Sequence, residues 1–327
     1  MQAGAELDVA VLLATFNGGS YIEKQLTSLK ENATPFTVHW IDDHSTDDTR
    51  HKVVEWTSRL GIPLREWHLP EHAGVPAAFF RLLDRVDADI YLFCDQDDIW
   101  QPGKIDSIVR NLRDDVTAPV LCFSDAILFS DAEPPGERRV LDLLEAKRSK
   151  ALEASRIFMF SPAASHTFGF TRPLREMYLQ HRDVAQGHAR MHGAWIHTLA
   201  LATGACRMLD NAPTTLYRQH PENATGALFR RGRGVRHWLA TWRLQRFLRQ
   251  RVSRHAQGFV LAAPTLPPSP QVDRMLKLAK LVARLDRRQS LVDVLRLTKY
   301  RAWWPSRRRA VWLAASCLCS SVEPEAK

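Results

Sequence analysis

The chain begins with a short, nearly unbroken apolar run, Val9-Ala10-Val11-Leu12-Leu13-Ala14-Thr15, which stops at the turn residues Phe16-Asn17-Gly18-Gly19. A strand buried on both faces reads this way, because neither set of alternating side chains meets water. Ser20, with Glu23 three positions on, predicts an N-cap and capping box for a helix that carries Tyr21, Gln25, Leu26 and Leu29 at helical spacing. A second run, Phe36 to Ile41, ends at Asp42-Asp43-His44-Ser45, and Thr46-Asp47-Asp48-Thr49 opens a helix through Trp56. Leu64 to Trp67 reads as a weaker strand, Gly74 to Val86 as a helix, Ile90 to Cys94 as another apolar strand, and Lys104 to Leu112 as a helix. The order β-α-β-α-β-α-β predicts an α/β fold: a doubly wound, mostly parallel sheet flanked by helices.

Beyond this unit, Val120 to Phe123 reads as a strand and residues 165 to 172 as another. Residues 132 to 150, charged and holding Pro134-Pro135, read as an exposed excursion. Arg190 to Thr203 predicts a helix ended by Gly204, with short strands at Ala205 to Leu209 and Pro213 to Tyr217. From about Arg230 the character changes. His237 to Leu248 is a basic amphipathic stretch, Pro264 to Pro270 a break, and 272–285 and 290–299 are helical. The expected division is an α/β unit over 1–228 and a helical, basic region over 229–327.

Ligands of doubly wound sheets bind beyond the carboxyl ends of the strands. That is where Asp95, Asp97 and Asp98 fall, three carboxylates within four positions after Tyr91-Leu92-Phe93-Cys94. Unpaired charge is too costly to bury in a core. A divalent cation with oxygen ligands, bridging to substrate phosphates, is the natural compensation. Asp42-Asp43 and Asn17-Gly18 sit at the ends of other strands, so the three features predict one site. Lys104 and Arg81 read as solvated helix residues, and Trp195 as core.

Composition narrows the setting. Hydrophobic residues make up 45% of 327 residues, enough for one large domain or a domain with an appendage. The five cysteines are scattered, as in a reducing compartment. There is no signal-peptide pattern, and no apolar run approaches the roughly 20 residues that span a bilayer. The net charge of +9 is concentrated late, where Arg230 to Arg254 contains no acidic residue. Trp238 and Trp242 among those arginines, echoed by Trp303-Trp304 and Arg307-Arg308-Arg309, fit an interfacial helix on an anionic membrane surface. No nucleic-acid module is recognisable, so nucleic acid is not an expected partner. The expected location is cytoplasmic, peripheral on the inner face of the plasma membrane.

Thr15-Phe16-Asn17, Ile41 through Thr49, Asp95-Gln96-Asp97-Asp98-Ile99-Trp100, and Tyr217-Arg218-Gln219-His220 with Asn223 and Gly226 together carry a resemblance. Over about residues 8 to 226 the chain resembles the family-two inverting glycosyltransferases, particularly bacterial rhamnosyltransferase-like members. The resemblance implies a GT-A fold, a nucleoside-diphosphate-sugar donor such as dTDP-rhamnose, Mg²⁺ or Mn²⁺, and a glycan or lipid-linked acceptor in surface polysaccharide synthesis. It implies that Thr15 and Asn17 line the nucleotide pocket, that Asp43 accepts a hydrogen bond from the base, and that Asp42 supports that loop. Asp97 would be the main metal ligand, with Asp95 near the ribose or metal and His220 near the diphosphate or metal. Arg218 would neutralise phosphate, while Asp98 and Trp100 would face the donor sugar and acceptor.

Two departures bear on mechanism. A family His-Asp-Trp-Trp-like motif supplies the base, whereas here the segment is His192-Gly193-Ala194-Trp195. Ser165-His166-Thr167 stands where a Gly-Cys-Thr-like pattern shapes the acceptor side. Three readings of the first departure stand open. Another group serves as base, His192 being the natural candidate with His188 and Asp183 behind it; the alignment is displaced; or the chain is a catalytically impaired relative that still binds nucleotide-sugar or a partner.

Overall fold

The computed structural model describes residues 6–132, 135–143, 154, 157–158, 161, 163–209, 213–220, 223 and 235–285, the side chains of 235–248 excepted. Four parallel strands are its centre: β1 (Val9–Thr15), β2 (Thr37–Asp42), β3 (Leu64–His68) and β4 (Ile90–Asp95). With β6 (Leu121–Phe123), β8 (Phe168–Thr171) and β9 (Cys206–Met208) they form a seven-stranded sheet in the order β3-β2-β1-β4-β8-β6-β9. Only β8 runs against its neighbours, pairing antiparallel with both β4 and β6. The register places Thr15 beside Asp42 and Ala14 beside Asp95, so both acidic strand ends emerge at one edge, on either side of β1.

The continuous apolar runs are explained by helices on both faces. Val9, Val11, Leu13, Trp40, Leu92 and Cys94 pack under α1 (Ile22–Leu29), α2 (Thr49–Leu60) and α4 (Lys104–Leu112). The alternating residues Ala10, Leu12, Tyr91 and Phe93 pack on the other side. There they meet α3 (Val75–Arg85) and, after the short helix α5 (Val140–Leu143), α6 (Arg172–Gln180) and α8 (His192–Thr203), with α7 (Arg182–His188) between these two in sequence. Residues of α9 (Val235–Ala262) and α10 (Pro270–Val282) belong to that same apolar cluster, through Val252, Phe259, Met275 and Leu278. The described C-terminal helices therefore dock on the sheet unit. Among the described residues no helix is long and apolar enough to cross a membrane. The expected helix at 290–299 and the Trp303 to Arg309 segment lie outside the described residues.

Several local expectations change. The Ser20 capping box does not form: α1 starts at Ile22 with no side-chain cap, and the Gly18 carbonyl accepts from Tyr21 N and Ile22 N at 2.9 and 3.0 Å. Residues 165 to 172 divide into a 3₁₀ turn, Ser165–Thr167, and β8. A second, three-stranded sheet joins β5 (Ile99–Trp100), β10 (Thr215–Arg218) and β7 (Ala126–Phe129). Two-residue strands leave no periodic signal, yet this sheet carries Arg218 to the acidic turn.

Candidate functional site

The nucleotide-side loops are tied together by carboxylates. Asp42 accepts from Thr15 Oγ1 at 2.8 Å, Ser45 N at 2.9 Å and Ser45 Oγ at 2.6 Å. Asn17 adopts a left-handed φ of 46°, a conformation Asn tolerates better than most residues, and its Oδ1 accepts from Thr46 N at 2.8 Å. Asp43 accepts from Ala73 N at 2.8 Å and Gly74 N at 2.7 Å, with His72 Nδ1 3.1 Å away. Thr15, Asp42 and Asp43 are all buried, so each first acts as framework for these loops. Phe16 is exposed at their mouth, its ring centroid 4.5 Å from that of His72.

Gln96, inside the acidic turn, has a role that the sequence does not signal. Its Oε1 accepts from Phe16 N at 2.8 Å and its Nε2 donates to Phe16 O at 3.0 Å. The amide thereby locks the loop after β1 to the turn after β4.

The acidic turn meets partners from three distant segments. His220 Nε2 lies 2.6 Å from Asp97 Oδ2, and its ring stacks on Tyr21 at 5.0 Å. Arg218 is buried; its Nε donates to the Asp97 carbonyl at 2.7 Å, its backbone N to Asp98 Oδ1 at 3.1 Å, and Nη1 to Asp131. His166, which sequence placed on the acceptor side without a role, brings Nδ1 to 3.3 Å from Asp98 Oδ2 and 3.5 Å from Asp95 Oδ2.

The electrostatics follow from burial and crowding. Burial pushes the Asp98 carboxyl up to about 7, with the Asp97 and Asp95 charges adding and His166 opposing. Burial works against ionised Asp95 as well, but the bond and charge of His166 hold its carboxyl below the usual range. For His166, burial is outweighed by Asp98 and Asp95, which raise the imidazole above its ordinary value.

One expectation is corrected by placement. Lys104 is not solvated: it is 1% exposed, its ammonium donates to the His166 carbonyl and to Thr215 Oγ1 at 2.9 Å, and burial pulls it down to about 7. Apolar residues at i and i+4 hid it in the helical pattern. Trp100, expected at the donor-sugar and acceptor side, is packed from below by that lysine. It is 1% exposed beneath the turn, with the Lys104 ammonium 3.7 Å from its ring centroid.

His192 is also fully buried. It stacks on Phe79 at 4.0 Å and meets Phe93 edge-on at 4.6 Å, and burial lowers it to about 4. At neutral pH it is therefore uncharged. Gly193 follows it in the first turn of α8, where a Cβ would stand 2.5 Å from Ser165 Cβ. The two departures from the resembled pattern are thus one packing contact.

A divalent ion fits what is present. Asp95, Asp98 and His166 place one ligand atom each within 4.8 Å of one another. Asp98 Oδ2, His166 Nε2, His220 Nδ1 and Arg218 Nη2 are buried and, among the described residues, have no hydrogen-bond partner. Buried polar atoms are seldom left so, and their gathering at one turn points to a bound polar group.

The glycosyl transferase family 2 profile matches residues 10–182. The dTDP-rhamnosyl transferase RfbG of Shigella flexneri is 28% identical over 228 residues, covering 66% of this chain and 74% of that protein. The mannosyltransferase PcManGT of Pyrobaculum calidifontis, solved with GDP-Man and Mn²⁺, superposes with a TM-score of 0.54 at 18% identity, covering 98% of this chain and 89% of that one. TarS of S. aureus, solved with UDP-GlcNAc, gives 0.52 at 15% identity, covering 85% and 87%. These two structures share the GT-A fold, as the resemblance implied.

Proposed function

The chain belongs to glycosyl transferase family 2, and from that premise we propose that it moves a sugar, with inversion, from a nucleoside diphosphate to a hydroxyl of a glycan or lipid-linked glycan. The observation that carries this reading is the convergence of Asp95, Asp97, Asp98, His166, His220 and Arg218 at the strand ends. These residues suit a diphosphate and its cation. Asp95, Asp97, His166 and His220 would hold Mg²⁺ or Mn²⁺, which when bound offsets charge on the departing diphosphate. Arg218 would add a second positive group beside it. Asn17, with Thr15, Asp42 and Asp43 behind it, would form the nucleoside side.

Inversion needs a proton acceptor for the attacking hydroxyl. Asp98 and His192 are the groups we propose for that task. Asp98 lies at the carboxylate cluster, and His192 is a neutral imidazole with neither ring nitrogen hydrogen-bonded among the described residues. The likeness to the dTDP-rhamnosyl transferase RfbG supports dTDP-rhamnose as the proposed donor, and the family resemblance supports a surface-polysaccharide setting. The basic stretch after Arg230 would seat the protein on the cytoplasmic, anionic face of a membrane, next to a lipid-linked acceptor.

Gly193 favours a second reading, a relative that binds nucleotide-sugar without turning it over. Incubation with dTDP-rhamnose and other nucleotide sugars, with NMR of the product anomer, separates the two. Transfer with an inverted anomeric centre supports the enzyme. Metal-dependent donor binding without transfer to any acceptor supports the second reading. Co-sedimentation with anionic vesicles tests the membrane seat, and no binding would remove it.

A further inference from the structure

Two guanidiniums are brought together where α7, α8 and α9 meet. Arg190, in the link between α7 and α8, donates Nη2 to the Ile157 carbonyl at 3.2 Å. Arg251, on α9, donates to the Arg190 carbonyl. A buried histidine fixes the arrangement. Thr198 Oγ1 donates to the Ala194 carbonyl at 2.7 Å, so it accepts from His255 Nε2 at 2.9 Å, and His255 Nδ1 is left to accept from Arg190 N at 3.4 Å. Arg251 and His255, four residues apart, share one face of α9. Both arginines are half-buried. Among the described residues no carboxylate pairs with Arg190, and burial followed by the charge of Arg251 lowers it to about 10. Holding like charges together in a half-buried corner costs stability. Capping the Ile157 and Arg190 carbonyls does not call for that cost, whereas a bound anion offsets it.

We propose that this corner is an anion site separate from the acidic turn, in which Arg190 and Arg251 hold a phosphate group carried by the acceptor. It rests on the reading of the chain as a glycosyltransferase with a glycan or lipid-linked acceptor, and adds where a phosphate on that acceptor sits. Guanidinium forks match phosphate oxygens bidentately, and two positive charges suit a phosphate dianion better than a single carboxylate. The corner also adjoins the reacting centre. His192 follows Arg190 by two residues, a span of at most about 7 Å. Its ring meets Phe93 edge-on, two residues before Asp95 in β4. Between them α8 begins without a side-chain cap, so its first N–H groups add to the pull on an anion.

The experiment is calorimetric titration of the full chain with farnesyl diphosphate, farnesyl phosphate and farnesol, in EDTA so that a metal-dependent donor site stays silent. It compares wild type, Arg190→Gln, Arg251→Gln, Arg190→Lys and Asp97→Ala, each checked by its melting transition. Wild type is expected to bind the two phosphate compounds about tenfold or more tighter than farnesol. Each Gln variant should lose about tenfold of that binding and leave farnesol unchanged. Arg190→Lys, which keeps the charge and loses the fork, should fall between, and it carries the test if a Gln variant does not fold. Asp97→Ala should bind as wild type does. Equal binding of farnesol and the phosphate compounds, or a loss in Asp97→Ala as large as in Arg190→Gln, would overturn the proposal. So would co-sedimentation with phosphatidylglycerol vesicles that falls in Arg190→Gln while farnesyl phosphate fails to bind wild type, since the phosphate held would then be a membrane headgroup. Those outcomes leave the enzyme reading standing. Mn²⁺-dependent binding of a nucleoside diphosphate to the same proteins tests that reading separately, and its absence in wild type would remove the ground on which the anion site rests.

Discussion

His220 and Asp97 meet at 2.6 Å although 123 residues separate them in the chain. The contact joins the segment after β10 to the turn after β4, across the junction of the two sheets. Stacking on Tyr21, beside the loop after β1, ties the same imidazole to a third segment. A single histidine thus links three segments at the carboxyl ends of the strands.

His220→Ala is expected to weaken Mn²⁺-dependent nucleoside diphosphate binding by about tenfold to a hundredfold, as loss of a metal-site partner does elsewhere. Metal-free stability should fall by only about 1–2 kcal/mol, for the lost Asp97 bond and the Tyr21 stack. Titration calorimetry and a thermal melt, run on the same preparation, check both halves.

Gly193→Ala is expected to destabilise the fold by about 1–3 kcal/mol, the usual cost of an added methyl with no room for it. The clash is with Ser165. Ser165→Gly in the Gly193→Ala background should recover part of the loss, because the pair touch and their effects do not add. Urea unfolding of the two single variants and the double variant gives the coupling.

Gln96→Ala removes both bonds to the Phe16 backbone. The loop after β1 should open more often, so the Phe16 amide should exchange its hydrogen about tenfold faster, in line with about 1–1.5 kcal/mol for the lost bonds. Gln96→Glu should show a smaller effect, since a carboxylate still accepts from Phe16 N. Residue-resolved hydrogen exchange reads this directly.

Burial lowers His192 to about 4 and His197 to about 3, and takes His255 well below its ordinary value. In each case the unfolded chain binds a proton that the folded chain refuses, between the unfolded value near 6.5 and the lowered folded value. Stability therefore rises with pH across that window and falls as acid is added below about 6.5. The slope is about 1.4 kcal/mol per pH unit for each such histidine. His197→Leu should flatten the acid limb relative to wild type. Denaturant unfolding at pH 7, 6, 5 and 4.5 checks the difference between the two proteins, in which the carboxylate contributions common to both cancel.

The strands were legible because burial on both faces writes an unbroken apolar run, as Val9 to Ala14 and Ile90 to Cys94 show. The acidic strand ends were legible because charge directly after such a run has few structural uses. Lys104 was not, since its helix carries apolar neighbours on one face and a lysine gives no sign of which face it occupies. His166 was noticed only as a departure, because its partners Asp95 and Asp98 lie about seventy residues away and meet it through an antiparallel strand, β8. The role of Gly193 was hidden for the same reason: a missing side chain has meaning only beside Ser165, which fills its place.

The central claim is a metal-dependent nucleoside-diphosphate site built on Asp97. Calorimetric titration with UDP, dTDP and GDP, each with and without Mn²⁺, on wild type and Asp97→Ala, tests it most directly. The account predicts that one diphosphate binds in a Mn²⁺-dependent way and that Asp97→Ala abolishes this while remaining folded. Binding of none of the three, or Mn²⁺-dependent binding that survives in Asp97→Ala, would contradict it.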